Sequence, residues 1–260
     1  MTSLRSLLER VHEAEGGWVL DDAEGWTQGR TLFGGLTTAL CAHVADKTLE
    51  ALPPLRSAQV AFVGPAATPV SVEATELRRG RSATIVSVDC RAQTGLAARV
   101  LLTYGAPRDS RVAHDSSAAP KVAAPDDCEA FMPPREGPQG FFQKFDLRQA
   151  GVSRPMSGGP PEFLAWVRLK ERDGVDPTLA LLALADSLPP AAMAVFPAPA
   201  PISTMTWSID IAHPVDPEGW SLLSSVSEQA QDGYSQQAMS LWDPAGRRLA
   251  VARQVVAIFA

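Results

Sequence analysis

The feature that most constrains this chain is punctuation that occurs twice. An apolar helical stretch ends on Leu-Pro-Pro at Leu52-Pro53-Pro54 and again at Leu188-Pro189-Pro190. Proline cannot continue a helix, so both stretches stop there. After each stop come strand-like runs with matching breaks: Pro65 answers Pro214, Gly80 answers Gly233, and Gly95 answers Gly246. The first helical stretch, LTTALCAHVADKTLEAL, opens behind Gly34-Gly35, and the second, TLALLALADSL, opens behind Asp176-Pro177. Asp176 suits an N-cap, and Pro177 at the first helical position forfeits no hydrogen bond. Alternation at Val70, Val72 and Ala74, and at Ile209 and Ile211, gives each sheet one apolar face. TLALLALA is apolar nearly all round and needs cover on every side.

Each half therefore reads as strand, helix, then an antiparallel meander. The expected class is α+β: two antiparallel sheets, each wrapping a long central helix and joining edge to edge, which removes exposed strand edges. The first unit spans residues 1–105 and the second 139–260. Between them, 106–138 is Pro/Ala-rich, holds Pro133 and Pro134, has no sustained period and reads as a linker.

Composition narrows the functional classes. With 45% hydrophobic and 20% charged residues the 260-residue chain has the balance of a soluble globular protein. Cys41, Cys90 and Cys128 are far apart and form no C-x-x-C pair, which argues against a metal site or disulfide framework and suits the cytoplasm. The start, MTSLRSLLERVHEAEGG, reads as an amphipathic helix, and no run is long and apolar enough for a membrane span. A net charge of −6 argues against nucleic-acid binding. Local clusters (Arg78, Arg79 and Arg81; Arg247, Arg248 and Arg253) could still meet a phosphorylated small molecule, or be solvated turn residues.

Asp186 is the first candidate for chemistry. It follows LALLALA just before the helix-ending Leu188-Pro189, where apolar neighbours and the negative helix end both disfavour its ionised form. From physics alone two readings stand level: a tuned base, or a solvated residue at a fraying end. Gln254 alternates onto one face of an otherwise apolar last strand, where its amide needs partners; it could orient a water or satisfy a loop. Thr204 is in isolation an ordinary strand residue. Gly34-Gly35 could bare backbone N–H groups toward an oxyanion, or simply make a tight turn. Glu50 stands three residues before Pro53, as Asp186 does before Pro189, and reads as a solvated helix-end residue while leaving open a second carboxylate site; counting from the helix starts points to His43 or Val44 instead. No G-x-S-x-G elbow, P-loop or Rossmann glycine pattern is present, and His12, His43, His114 and His213 have no metal-ligand spacing.

FGG at Phe33–Gly35, LALADSLPP around Asp186, STMTWSIDIAHP around Thr204 and RLAVARQVVAIF around Gln254 resemble the double-hotdog acyl-CoA thioesterases, of the type II and bacterial thioesterase-like groups. The resemblance covers most of the chain outside the linker. It implies a tandem hotdog and a catalytic Asp186-Thr204-Gln254 trio that activates a hydrolytic water, with Ser203 beside Thr204 leaving the hydroxyl's register open by one residue. Gly34 and Gly35 would serve the oxyanion, and Arg78, Arg79 and Arg81 would meet the CoA phosphates. Acyl-CoA is then substrate, no metal or other cofactor is needed, and a homo-oligomer is an open arrangement. A hotdog hydratase or dehydratase, or an acyl-CoA-binding protein without turnover, are the competing expectations.

Overall fold

The structure, a computed structural model, describes residues 2–132 and 140–259. Pro133, Pro134 and the 138/139 boundary of the second unit lie outside the described residues.

Along the first half, α1 (Leu4–Leu8) precedes the hairpin β1 (His12–Ala14) and β2 (Gly17–Leu20), and the ribbon β3 (Thr27–Gln28) and β4 (Thr31–Leu32). Then come α2 (Gly34–Thr48) and the meander β5 (Leu55–Phe62), β6 (Val70–Arg79), β7 (Ala83–Ala92) and β8 (Gly95–Gly105). The second half has β9 (Phe145–Gln149), β10 (Glu162–Leu169), α3 (Pro177–Ala185) and the strands β11 (Ile202–Ile211), β12 (Ser221–Gln231), β13 (Tyr234–Trp242) and β14 (Arg248–Ile258).

Strand, helix and meander recur as expected, and the two half-sheets are one. Among the described residues twelve strands run in the order β1-β2-β6-β7-β8-β5-β11-β14-β13-β12-β10-β9. The seam is the antiparallel pair β5–β11, from Thr206↔Ala61 to Asp210↔Ser57. It consumes the edge strand of each half and leaves no bare edge at the centre. α2 and α3 lie together against the inner face, Leu36, Leu40 and Val44 of the one and Leu181, Leu182 and Leu184 of the other being buried in a common core.

Two expectations need correction. The N-terminal helix stops at Leu8, because Glu13-Ala14 and Gly17-Trp18 form a hairpin whose glycines, Gly16 at φ +87° and Gly17 at φ +136°, make the turn. The second central helix is short, nine residues against fifteen in α2. Its start is as expected: Asp176 caps it by accepting from the N–H groups of Thr178 and Leu179, with Pro177 next. The stretch from Arg108 to Ala124 has no regular element, yet it is tied down: Trp166 Nε1 donates to the Ala123 carbonyl at 2.9 Å, and Ala119 and Val122 pack on a small second core of Cys128, Trp166, Leu222 and Trp242. No helix among the described residues is long and apolar enough to cross a membrane.

Candidate functional site

The two central helices are antiparallel, and their ends meet across the halves. Gly34 and Gly35, at the N-terminus of α2, reach the C-terminal end of α3: a Cβ on Gly34 would stand 2.7 Å from Asp186 Oδ2, and one on Gly35 would stand 3.0 Å from the Ala183 carbonyl. Their lack of side chains is what lets the helix ends touch. Phe33 leads into α2 without a side-chain cap, and its ring stacks on Phe141 at 4.1 Å. The first intrahelical bond at this end is Thr37 N–H to the Phe33 carbonyl, so the earlier N–H groups point outward with the positive end of the helix dipole.

Asp186 is the C-cap of α3. Gln254 Nε2 donates to its Oδ1 at 2.7 Å, and the Gly35 N–H faces the carboxyl closely enough to favour the ionised form, without the alignment of a full hydrogen bond. The residue keeps a small opening to solvent, but protein atoms crowd its carboxyl, and this desolvation outweighs both donors. Its pKa is pushed up from 3.8 to about 7. A carboxyl so placed can accept a proton near neutral pH. No charged side chain contributes to the shift.

Gln254 is buried on the inner face of β14, opposite Trp207 of β11. Thr204 is opposite Val256 and therefore shares that face; a bulge follows, in which Met205 is the extra, exposed residue. No hydrogen bond joins Thr204 to Asp186 or Gln254 among the described residues. Ser203 is exposed and Thr204 only half so, which favours Thr204 as the inward hydroxyl. The structure thus brings together Asp186, Gln254, Gly34 and Gly35, with Thr204 one step along the same face.

The arginines fall elsewhere. Arg79 is tied to Glu76 at 2.7 Å and to the Glu50 carbonyl at 3.1 Å, beyond the C-terminal end of α2. That end is about 22 Å from Gly34 at the usual helical rise. Arg78 and Arg81 are exposed nearby. In the other cluster, Arg247 pairs with Asp243 and Arg253 with Glu228. Glu50 is exposed. Among the described residues no group of three or more His, Cys, Asp or Glu side chains could hold a metal ion.

Sequence reasoning missed Phe62 and Gln237. A Cβ on Gly34 would also stand 3.1 Å from the Phe62 ring, which closes the site from β5. Gln237 is opposite Gln254 on β13 and is almost wholly buried. Its signal was the alternation Ser235, Gln237, Met239, Leu241, masked by the polar run SQQ.

Comparison with known proteins agrees on the architecture. The model of the acyl-CoA thioesterase N-terminal domain matches residues 22–105, and that of the acyl-CoA thioesterase C-terminal domain matches residues 125–258. Among solved structures, a hotdog-fold protein of unknown function from Alicyclobacillus acidocaldarius superposes with a TM-score of 0.87 at 22% identity, covering 100% of this chain and 99% of its own. An acyl-CoA thioesterase II from Mycobacterium marinum gives 0.78 at 16% identity, with 98% of each chain covered. A tesB protein of Mycobacterium avium subsp. paratuberculosis gives 0.80 at 15%, with 99% and 98% covered. At such identities these structures establish the hotdog fold alone. No curated protein matches the sequence.

Proposed function

Since the chain belongs to the acyl-CoA thioesterase family, with both of its domains present, we propose that it hydrolyses acyl-CoA through a water activated by Asp186. The observation that carries this reading is the junction itself: a desolvated carboxyl with a pKa of about 7, held by Gln254 and set against a bare helix N-terminus.

Asp186 acts as general base, taking a proton from a water that Gln254 and Thr204 help to orient. The water oxygen attacks the thioester carbonyl carbon. The oxyanion that develops is stabilised by the unbonded N–H groups at the start of α2, from Gly34 and Gly35, and by the dipole behind them. The tetrahedral intermediate then collapses, breaking the C–S bond; CoA leaves as thiolate and the acyl group as the free acid. Asp186 then passes its proton to the departing thiolate, directly or through solvent, which restores the carboxylate; none of these steps draws on a metal or cofactor. Apolar packing between α3 and the sheet, where Ala185 meets Ile209, Leu223 and Met239, is the direction in which an acyl chain would lie. The buried, unpaired thiols of Cys41, Cys90 and Cys128 accord with a cytoplasmic setting.

A thiol-release assay over short, medium, long and aromatic acyl-CoAs tests this reading. Release of free CoA from at least one of them is expected. A binding protein without turnover would bind the same panel and release none, and a hydratase would instead change the absorbance of an enoyl-CoA.

A further inference from the structure

The inner face of the second half-sheet changes character along one row. Across β11, β14, β13 and β12 the register aligns Trp207, Gln254, Gln237 and Ser227. The next row holds Ile209, Ala252, Met239 and, at its β12 end, Ser225; the one beyond it holds Ile211, Ala250, Leu241 and Leu223. Ala185 lies over the apolar members of these rows. α3 therefore covers the apolar part of the face and ends where the polar row begins, which is why its C-cap meets Gln254.

Within the polar row two glutamines are bonded in opposite senses. Gln237 Oε1 accepts from the Ala191 N–H at 2.7 Å and from Ser225 Oγ at 3.1 Å. A backbone N–H can only donate, so the amide orientation is determined, and Nε2 is on the arm turned away from Ala191. That Nε2 is buried and has no partner among the described residues. Gln254 is the reverse: its Nε2 donates to Asp186, and its Oε1 has no donor among the described residues. A spare donor thus stands beside a spare acceptor on directly opposed residues, whose Cβ atoms are about 5 Å apart in such pairs. Ser187 Oγ, next in the chain to Asp186, and Trp207 Nε1, across from Gln254, are also buried without partners among the described residues. Buried donors left unpaired are costly, and these three belong to the chain neighbour of Asp186 and to the two residues that flank Gln254 in the sheet, where a bridging oxygen would satisfy them.

We propose that Gln237 is a positioning residue for the reaction, its Nε2 holding Gln254 Oε1 through one bridging water so that Gln254 keeps its own Nε2 turned to Asp186. The inference rests on the reading of Asp186 as base. Donors run one way along the line, from Ala191 to Gln237, to the water, to Gln254 and to Asp186. If the Gln254 amide turned over, its oxygen would face the carboxylate, acceptor against acceptor. Ala191 starts the single 3-10 turn (Ala191–Val195) that follows Asp186, so the loop that carries the base also anchors the line that steadies it.

Two substitutions separate positioning from packing. Gln237→Glu keeps an oxygen for Ala191 and Ser225 but loses the N–H donor; Gln237→Met loses the donor without adding charge. In each, kcat for the best acyl-CoA should fall roughly tenfold with KM within about twofold. The acid limb of kcat/KM should move to higher pH, because Asp186 loses a fixed donor while no charged side chain acts on it from either helix or the strands. If either folded variant keeps wild-type kcat, or loses kcat with the acid limb unmoved, the proposal is overturned. Asp186→Asn is measured alongside: an inactive protein keeps the site reading intact whatever Gln237 does, and an active one brings down both.

Discussion

Among the described residues a helix end of one half meets a helix end of the other in two places, and only one of them has the parts that the proposed hydrolysis uses. At the first, α2 begins on two glycines with outward N–H groups, and Asp186 faces them from the end of α3. At the second, α3 begins on Asp176 and Pro177. Asp176 spends its carboxylate on the N–H groups of Thr178 and Leu179, and Pro177 has none to offer. The carboxyl opposite is Asp46, exposed on one side. Partial desolvation, then the like charge of Asp176, raise its pKa to about 6, and Tyr104 Oη faces it without making a hydrogen bond.

The partner strand differs as well. The seam centres on Ser208↔Gln59, and turning it end for end exchanges Trp207 with Ala58. Ala58 is opposite Leu102, so Leu102 answers Gln254. A raised pKa is thus present at both junctions and distinguishes neither. What separates them is whether the helix start is bare or self-capped, and whether an amide stands over the carboxyl.

The sharpest way to break this comparison is to remove each carboxyl in turn. Asp186→Asn should lower kcat about a thousandfold, the scale of a lost general base, while Asp46→Asn stays within about twofold in the same thiol-release assay. Equal losses would mean two working sites. Next in size, Gly34→Ala should cost about 10- to 100-fold in kcat, because its Cβ would press on Asp186 and Phe62. The matching Thr178→Ala, at a start already capped, should leave turnover unchanged.

The third test is pH. Asp186 must be ionised to act as base, so kcat/KM should climb through about pH 7 and level off above it. Stability runs the other way. A carboxyl whose folded pKa is raised from 3.8 to about 7 favours the fold below pH 4 and loses that contribution as the pH rises to 7. Asp186→Asn should therefore raise Tm at pH 8 and lose that advantage near pH 4. A flat profile would mean that the carboxyl is less desolvated than its surroundings indicate. Smallest, Asp176→Ala should cost about 1 kcal/mol of unfolding free energy in denaturant titration and leave kcat unchanged, as a structural cap would.

How much of this was legible beforehand depended on range. Asp176 as cap, the stops before Leu-Pro-Pro and the inward alternation of Gln254 are local signals, and each was readable within a few residues. Asp186 was level between base and solvated end, because its environment is set by residues from the other half. Gly34 read as an oxyanion site or a plain turn; that its missing side chain makes room for Asp186 is a contact 152 residues long (186 − 34). Gln237 could be found only from the pairing of β13 with β14, since its polar neighbours hide which of them faces inward. The hairpin at Glu13–Trp18 was lost to a helical pattern of leucines that ends sooner than its charges suggest.

The seam between β5 and β11 has a consequence for how such a protein can change over generations. Two copies of a single gene product would repeat every substitution at both junctions, so an improvement at one would be imposed on the other. With the halves joined in one chain, inheritance is freed from that symmetry. Leu102 and Gln254, at corresponding positions of the two halves, can then differ, an apolar side chain at one junction and an amide at the other.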